Sequence, residues 1–226
     1  MNNYGINIWS DDNFVIEDGL AKINHDCKPS LISIVKDIRK QDFKGPLLLR
    51  FPHITEKQIN TLYNTFNASI KEYDYKGNFN AVFPLKVNQL PNFIHPLINE
   101  GKKFNYGLEA GSKAELVIAM TYNNINSPIT VNGFKDKEMI HLGFIAKSMG
   151  HDITLIIEGL NELEMIIEVL NETKMEAPSI GLRVRLHSGG SGLWAKSGGI
   201  NSKFGLTSTE ILEAYELMED NNIVKY

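Results

Sequence analysis

The stretch Ala81-Val82-Phe83-Pro84-Leu85-Lys86-Val87-Asn88-Gln89 decides the fold, because it is an apolar run with a single cation near its end. A run of this length and composition is typical of a strand that is buried on both faces of a parallel sheet. Pro84 lacks the N–H group that a central strand needs, so the run suits a first strand or a local irregularity.

Lys86 ends this predicted strand and is its chemically informative residue. Partial burial would favour the neutral amine, which is the form that attacks carbonyl groups. The alternative is a lysine whose long side chain reaches from the strand terminus into solvent, and this is the commoner outcome for a strand-end lysine.

Predicted strands and helices alternate along the rest of the chain. Further strand-like runs are predicted at 103–110, 128–132, 152–158 and 179–186, and a helical pattern follows each one. Five such units predict a parallel sheet covered by helices. A doubly wound sheet and a (β/α)₈ barrel both fit this pattern. The barrel needs eight units, whereas the chain ends where Ile223-Val224 begins a predicted sixth strand, so the sheet is open or the chain is a fragment.

Local turn and capping signals support this arrangement. Phe14 to Ile23 reads as two strands around Asp18-Gly19, a strong hairpin signal. Three helix starts are indicated by a capping residue followed three positions later by glutamate, namely Ser112 with Glu115, Asn161 with Glu164, and Thr207 with Glu210. We expect residues 1–44 to form an arm belonging to a β domain, and residues 45–226 to form a barrel that is incomplete at its C-terminal end.

Composition excludes several classes of protein. The 226 residues are 42% hydrophobic and 22% charged, with a net charge of −4 and no long basic run, so nucleic-acid or membrane binding is not expected. A single cysteine, Cys27, excludes an internal disulfide framework and fits a reducing cytoplasm. Met1 to Trp9 lacks the apolar segment of a signal peptide, and no stretch is long and apolar enough to span a bilayer. The histidines, including His141 and His151, lack metal-ligand spacing, so no zinc site is predicted.

In a parallel α/β fold, function is expected in the loops that follow the strands. Glu109 lies in one of these regions, where it would orient an active-site group or pair with a lysine. Arg183 and Arg185 alternate with apolar residues, so both are predicted on one face; inside a barrel they would be buried and need anionic partners.

The glycine-rich stretch Ser188 to Gly199, which contains Trp194, would approach a phosphate or form a surface loop. His187 carries no clear signal.

Several long motifs resemble one family of enzymes. They are Phe83 to Gln89, Gly107 to Leu116, Val131 to Asp136 and Ser202 to Leu206. Together they resemble the biosynthetic arginine decarboxylases, a subfamily of the fold-type III, alanine-racemase-like family of pyridoxal-phosphate enzymes. Tyr4 to Trp9 and the Ser188 to Gly199 stretch resemble this subfamily rather than the ornithine or diaminopimelate decarboxylases.

The resemblance implies a fold and a chemistry. It implies a (β/α)₈ barrel in which Lys86 binds pyridoxal 5'-phosphate covalently, with Glu109 and Arg183 near the cofactor. It implies decarboxylation of L-arginine to agmatine and carbon dioxide, for polyamine synthesis in the cytoplasm. It places Lys203 close to a subunit interface of a homo-oligomer. It is also compatible with magnesium as a second cofactor.

Members of this family are much longer than 226 residues, and the remaining part supplies further cofactor contacts, so we expect this chain alone to be inactive. Cys27 does not match the context of the catalytic cysteine, which the partner subunit donates in the family. Three alternatives stay open: a non-catalytic pyridoxal-phosphate-binding or regulatory relative, a decarboxylase of another basic amino acid, and an unrelated open-sheet α/β enzyme.

Overall fold

The chain divides between Ile54 and Thr55 in the computed structural model, which describes residues 5–185 and 205–226. The predicted domain boundary at residue 44 stays a prediction. The assignment of the first unit to a larger β domain stays a prediction.

The first unit contains the predicted hairpin. Its elements are helix α1 (Ile6–Trp9), strands β1 (Phe14–Glu17) and β2 (Leu20–Ile23), and helix α2 (Leu31–Arg39). Glu17 pairs with Leu20 in antiparallel register, which leaves Asp18 and Gly19 as the turn. Both turn residues have positive φ, 55° and 73°, which a two-residue turn of this kind requires and which aspartate and glycine tolerate. The hairpin prediction is confirmed.

The second unit alternates strands and helices. Helix α3 (Pro52–Glu72) leads into it, and the strands are β3 (Val82–Pro84), β4 (Gly107–Ala110), β5 (Ile129–Val131), β6 (Ile153–Ile157) and β7 (Ser179–Leu182). The helices that follow them are α4 (Pro91–Gly101), α5 (Lys113–Tyr122), α6 (Lys137–Ser148), α7 (Leu160–Thr173) and α8 (Ser208–Asp220). A short 3₁₀-helix, Lys102–Phe104, replaces the start of the second predicted strand.

The order of the strands decides between the two α/β architectures. The five strands are all parallel, and their order in the sheet, β3-β4-β5-β6-β7, is their order in the chain. A doubly wound sheet reverses its strand order at a switch point, whereas a barrel adds each new strand on the same side. The sheet therefore follows the barrel arrangement, as predicted.

The two faces of the sheet differ in burial. Along β6, Ile153, Leu155 and Ile157 are completely or almost completely buried, whereas Thr154 and Ile156 between them are only partly buried. The buried face packs against helix residues such as Leu116 and Phe144. Each large apolar side chain buried in this way contributes roughly 1.5–3 kcal/mol to stability. The other face carries a polar row in register, made of Glu109, Thr130, Thr154 and Ser179.

Two of the three predicted helix caps are confirmed. The Ser112 and Thr207 side chains accept hydrogen bonds from the Glu115 and Glu210 backbone N–H groups, both at 3.3 Å. The third prediction was wrong, because α7 begins two residues earlier than predicted, with Gly159 rather than Asn161 at its N-cap and no side-chain hydrogen bond there.

The predicted sixth strand at Ile223-Val224 was also wrong. Among the described residues, the segment after α8 forms turns, and the Tyr226 carbonyl accepts a hydrogen bond from the Ile180 backbone N–H at 3.0 Å. This segment therefore satisfies one backbone group of β7 without forming a strand.

His151 makes the stability of this unit dependent on pH. It is buried just before β6, its Nδ1 atom has no hydrogen-bond partner among the described residues, and burial lowers its pKa. In the window between this lowered pKa and the ordinary value near 6.5, the unfolded chain binds more protons than the native one. His151 therefore contributes stability that is complete above about pH 6.5 and is lost as the pH falls through the folded-state pKa.

We expect the free energy of unfolding to fall less steeply below pH 6.5 in His151→Gln than in the unsubstituted protein. Urea unfolding between pH 8 and pH 5 measures this difference. Parallel curves for the two proteins would contradict the assignment.

Candidate active site

The sheet brings Lys86 and Glu109 to neighbouring strands. Pro84 of β3 pairs with Glu109 of β4, and the Leu85 backbone N–H donates to the Glu109 carbonyl oxygen at 2.9 Å. Lys86 comes two residues after Pro84, in the turn that the Val87 backbone N–H closes on the Pro84 carbonyl oxygen at 3.0 Å. Both residues lie toward the carboxyl edge of the sheet, where function is expected in this architecture.

Lys86 is exposed, which differs from the partial burial expected for a reactive strand-end lysine. It lies in the turn at residues 85–87 that follows β3, rather than in the strand itself. Within residues 5–185 and 205–226, its amine makes no hydrogen bond or ion pair. The amine is therefore accessible to a carbonyl compound.

Glu109 is buried, with 8% of its surface exposed, and its carboxylate has no hydrogen-bond partner in the described part of the chain. A second carboxylate, that of Glu115, lies nearby. It accepts hydrogen bonds from the Gly111 backbone N–H at 2.7 Å and from the Gln89 side-chain amide at 3.0 Å. Glu115 thus joins the loops after β3 and β4, a role that its sequence pattern, read only as a helix cap, did not indicate.

Arg183 directly follows β7, and 46% of its side chain is exposed, whereas an arginine inside a barrel was expected to be buried. Arg185, expected on the same face, is only partly buried, and its Nε–H donates to the Gly205 carbonyl at 3.1 Å. The expected anionic partner of Arg183 does exist, because its guanidinium donates to Glu158 Oε1 at 2.7 Å. Here the carboxylate is the buried member of the pair.

A second ion pair, Lys135 with Glu162, is completely enclosed. The side chains are 0% and 1% exposed, and Lys135 Nζ lies 3.1 Å from Glu162 Oε2. Neither residue was identified from the sequence as part of a site. The motif containing Lys135 was recognised, but no local pattern connects it to a glutamate on a later helix.

The loops after β4 and β5 approach each other closely at two glycines. Gly133 has a φ of 78°, and a Cβ atom there would lie 3.2 Å from the Gly111 carbonyl oxygen. A side chain at position 133 would therefore be strained and crowded. Beside this approach lies an open groove of about 390 Å³, bounded by Lys113 and by the exposed Phe134.

A family model matches most of the chain, including Lys86 and Glu109. The family model described as "Pyridoxal-dependent decarboxylase, pyridoxal binding domain" matches residues 57–225. The chain belongs to this family.

Two curated relatives of the chain carry the same enzyme name. The chain is 39% identical to the biosynthetic arginine decarboxylase of Bacteroides thetaiotaomicron, over 97% of this chain and 36% of that protein. It is 36% identical to the enzyme of the same name from Prochlorococcus marinus AS9601, over 99% of this chain and 35% of that protein. It therefore spans about a third of the length of these relatives.

Solved structures agree with this membership. The biosynthetic arginine decarboxylase of Campylobacter jejuni is 56% identical, with a TM-score of 0.90 over 99% of this chain and 36% of that one. Diaminopimelate decarboxylase of M. jannaschii shares the fold. It is 23% identical, with a TM-score of 0.68 over 92% of this chain and 45% of that one. The predicted fold class and family resemblance are confirmed.

Several predictions fall outside the described residues: those on His187, Trp194, Lys203 and the Ser188 to Gly199 loop. Within the described ranges, no group of three or more His, Cys, Asp or Glu side chains is arranged to hold a metal ion. In the same ranges, no helix is both long and apolar enough to cross a membrane.

Proposed function

We propose that the full-length protein decarboxylates L-arginine to agmatine and carbon dioxide, with pyridoxal 5'-phosphate as cofactor, and that agmatine feeds the synthesis of putrescine and spermidine. The observation that carries this proposal is the 56% identity to the Campylobacter jejuni arginine decarboxylase over 99% of the chain. Identity to a diaminopimelate decarboxylase of the same fold is only 23%.

Lys86 is the residue proposed to bind the cofactor covalently. Its amine is exposed at the carboxyl end of β3 and is not held by any described neighbour, so it fits a cofactor aldehyde. Pyridoxal phosphate, when bound, supplies the ring that accepts the electrons left behind as carbon dioxide departs. The protein's own task is to hold and orient the reacting groups.

Glu109 and Arg183 are proposed to contact the cofactor or the substrate. Glu109 provides a buried carboxylate on the strand next to Lys86, where it would accept a hydrogen bond. Arg183 provides a half-exposed cation at the same edge, suited to an anionic group. Strands β4 and β7 are three positions apart, roughly 14 Å along a flat sheet, so the two side chains would engage different parts of the bound molecules.

The substrate is tested by comparing kcat/KM of the full-length protein for arginine, ornithine and lysine. We expect arginine to be preferred by about 10²-fold or more, because a site that hydrogen-bonds a guanidinium leaves its polar groups unpaired around a shorter amine. Comparable values for ornithine or lysine would indicate a decarboxylase of another basic amino acid. Cofactor binding without release of carbon dioxide from any of them would indicate a non-catalytic relative.

Assembly into a homo-oligomer, location in the cytoplasm and a role for magnesium stay predictions that rest on the family resemblance. The chain covers only 36% of the length of its Bacteroides thetaiotaomicron relative. That the 226 residues alone are inactive also stays a prediction.

A further inference from the structure

Glu158 joins three loops at the carboxyl edge of the sheet. It directly follows β6, and its side chain is 2% exposed. One oxygen, Oε1, accepts hydrogen bonds from the Arg183 guanidinium at 2.7 Å and from the Gly133 backbone N–H at 3.0 Å. The segments after β5, β6 and β7 therefore meet at a single carboxylate oxygen.

Burying a carboxylate in this way is costly unless its charge and its lone pairs are matched. Oε2 of Glu158 is buried and has no hydrogen-bond partner among the described residues, and the Arg183 cation is itself half in solvent. An ion pair of this kind contributes little to stability compared with an apolar replacement. What it does provide is direction, because a hydrogen bond to a rigid, buried acceptor fixes the orientation of the planar guanidinium.

Glu158 is in turn held rigidly by the enclosed Lys135–Glu162 pair. Glu162 accepts hydrogen bonds from the backbone N–H groups of Glu158 at 2.9 Å and of Lys135 at 3.0 Å. Lys135 Nζ donates to the Gly133 carbonyl oxygen at 2.6 Å, so Gly133 is held from both sides. The acceptor that faces Arg183 thus has a backbone and a side chain that are both fixed.

We propose that Glu158 is a positioning residue that fixes the guanidinium of Arg183 for contact with the cofactor. This inference rests on the proposed function, since it requires that Arg183 engage pyridoxal phosphate. Glu158 itself is enclosed and acts only through Arg183.

The proposal is tested by a double-mutant cycle on the full-length protein freed of cofactor. The variants are Glu158→Gln, Arg183→Gln and the two combined, and the readout is the Kd for pyridoxal phosphate from absorbance titration. We expect Glu158→Gln to weaken binding about tenfold, the factor typical of losing one charge-assisted hydrogen bond. In the Arg183→Gln background, the same change should weaken binding less than about twofold, because its target is absent.

The matched control is Glu172→Gln. The exposed carboxylate of Glu172 lies near the C-terminal end of α7 and pairs with Lys137 of α6. Its replacement should leave the Kd unchanged. A merely structural role for Glu158 would weaken binding by the same factor in both backgrounds, and this result would overturn the proposal. So would an unchanged Kd in Glu158→Gln.

If Glu158→Gln does not fold, Glu158→Asp replaces it in the same cycle, because it keeps the charge but is one methylene too short to hold Arg183 in place. We again expect the change at position 158 to weaken cofactor binding less in the Arg183→Gln background than in the unsubstituted protein. If the unsubstituted protein binds the cofactor but does not decarboxylate arginine, the proposed function is contradicted. The double-mutant cycle still decides in that case whether Glu158 acts through Arg183. Unsubstituted protein that does not bind the cofactor would contradict both.

Discussion

Lys86→Ala in the full-length protein should reduce arginine decarboxylation by more than about 10³-fold, because it removes the amine proposed to bind the cofactor covalently. Lys86→Arg should lose as much activity, since a guanidinium keeps the charge but cannot act as that nucleophile. Carbon dioxide release from arginine measures both effects. Borohydride reduction with pyridoxal phosphate, followed by peptide mapping, should place the adduct on Lys86.

Lys113 is the matched control for this experiment, since it also lies in a loop at the carboxyl edge. Its ammonium is held by Asp136 at 2.7 Å and Glu138 at 2.6 Å, and these two carboxylates raise the pKa of Lys113. Lys113 is therefore kept protonated and is a poor nucleophile. We expect Lys113→Ala to retain most of the activity, and an adduct on Lys113 or Lys203 would contradict the assignment to Lys86.

Lys135→Met should have the largest effect on stability, lowering the free energy of unfolding by about 3–5 kcal/mol. The substitution fills a similar volume but leaves the carboxylate of Glu162 buried without its cation. Because domains are stable by only roughly 5–15 kcal/mol, this loss is a large fraction of the total. Urea unfolding of the full-length protein measures it.

Two further variants make this measurement specific to the enclosed pair. Lys137→Met, two residues away, removes a 43% exposed lysine from ion pairs with Glu168 and Glu172, and it should cost no more than about 1 kcal/mol. Combining Lys135→Met with Glu162→Gln should recover part of the loss, because the amide oxygen still accepts backbone N–H groups without carrying a charge. Equal destabilisation by Lys135→Met and Lys137→Met would show that burial of the pair has no energetic consequence.

The candidate site was only partly predictable from the sequence. The contiguous motifs contain Lys86 and Glu109, and the family resemblance that they carry adds Arg183; all three stay proposals. The alternation of residues around Arg183 indicated an anionic partner, and the structure provides one in Glu158, but the glutamate is buried and the arginine is half-exposed. Glu158 and Glu162 drew no attention, since an acidic residue at a strand end or in the first turn of a helix usually faces solvent.

The sequence by itself determined features whose causes lie within a few residues. The Asp18-Gly19 turn follows from the tolerance of both residues for positive φ, and the caps at Ser112 and Thr207 follow from side chains that reach the next turn of backbone. The alternating apolar runs likewise determined a parallel sheet covered by helices.

Only the tertiary structure decided which charges are buried and which are exposed. The bond from Arg183 to Glu158 spans 25 residues of sequence and that from Lys135 to Glu162 spans 27, so parallel strand pairing had to bring them together. Lys86 is exposed in a turn, because β3 ends at Pro84, whereas the apolar pattern predicted that the strand continues through Lys86. Burial depends on what packs against a residue from distant parts of the chain, and it is burial that makes these charges chemically informative.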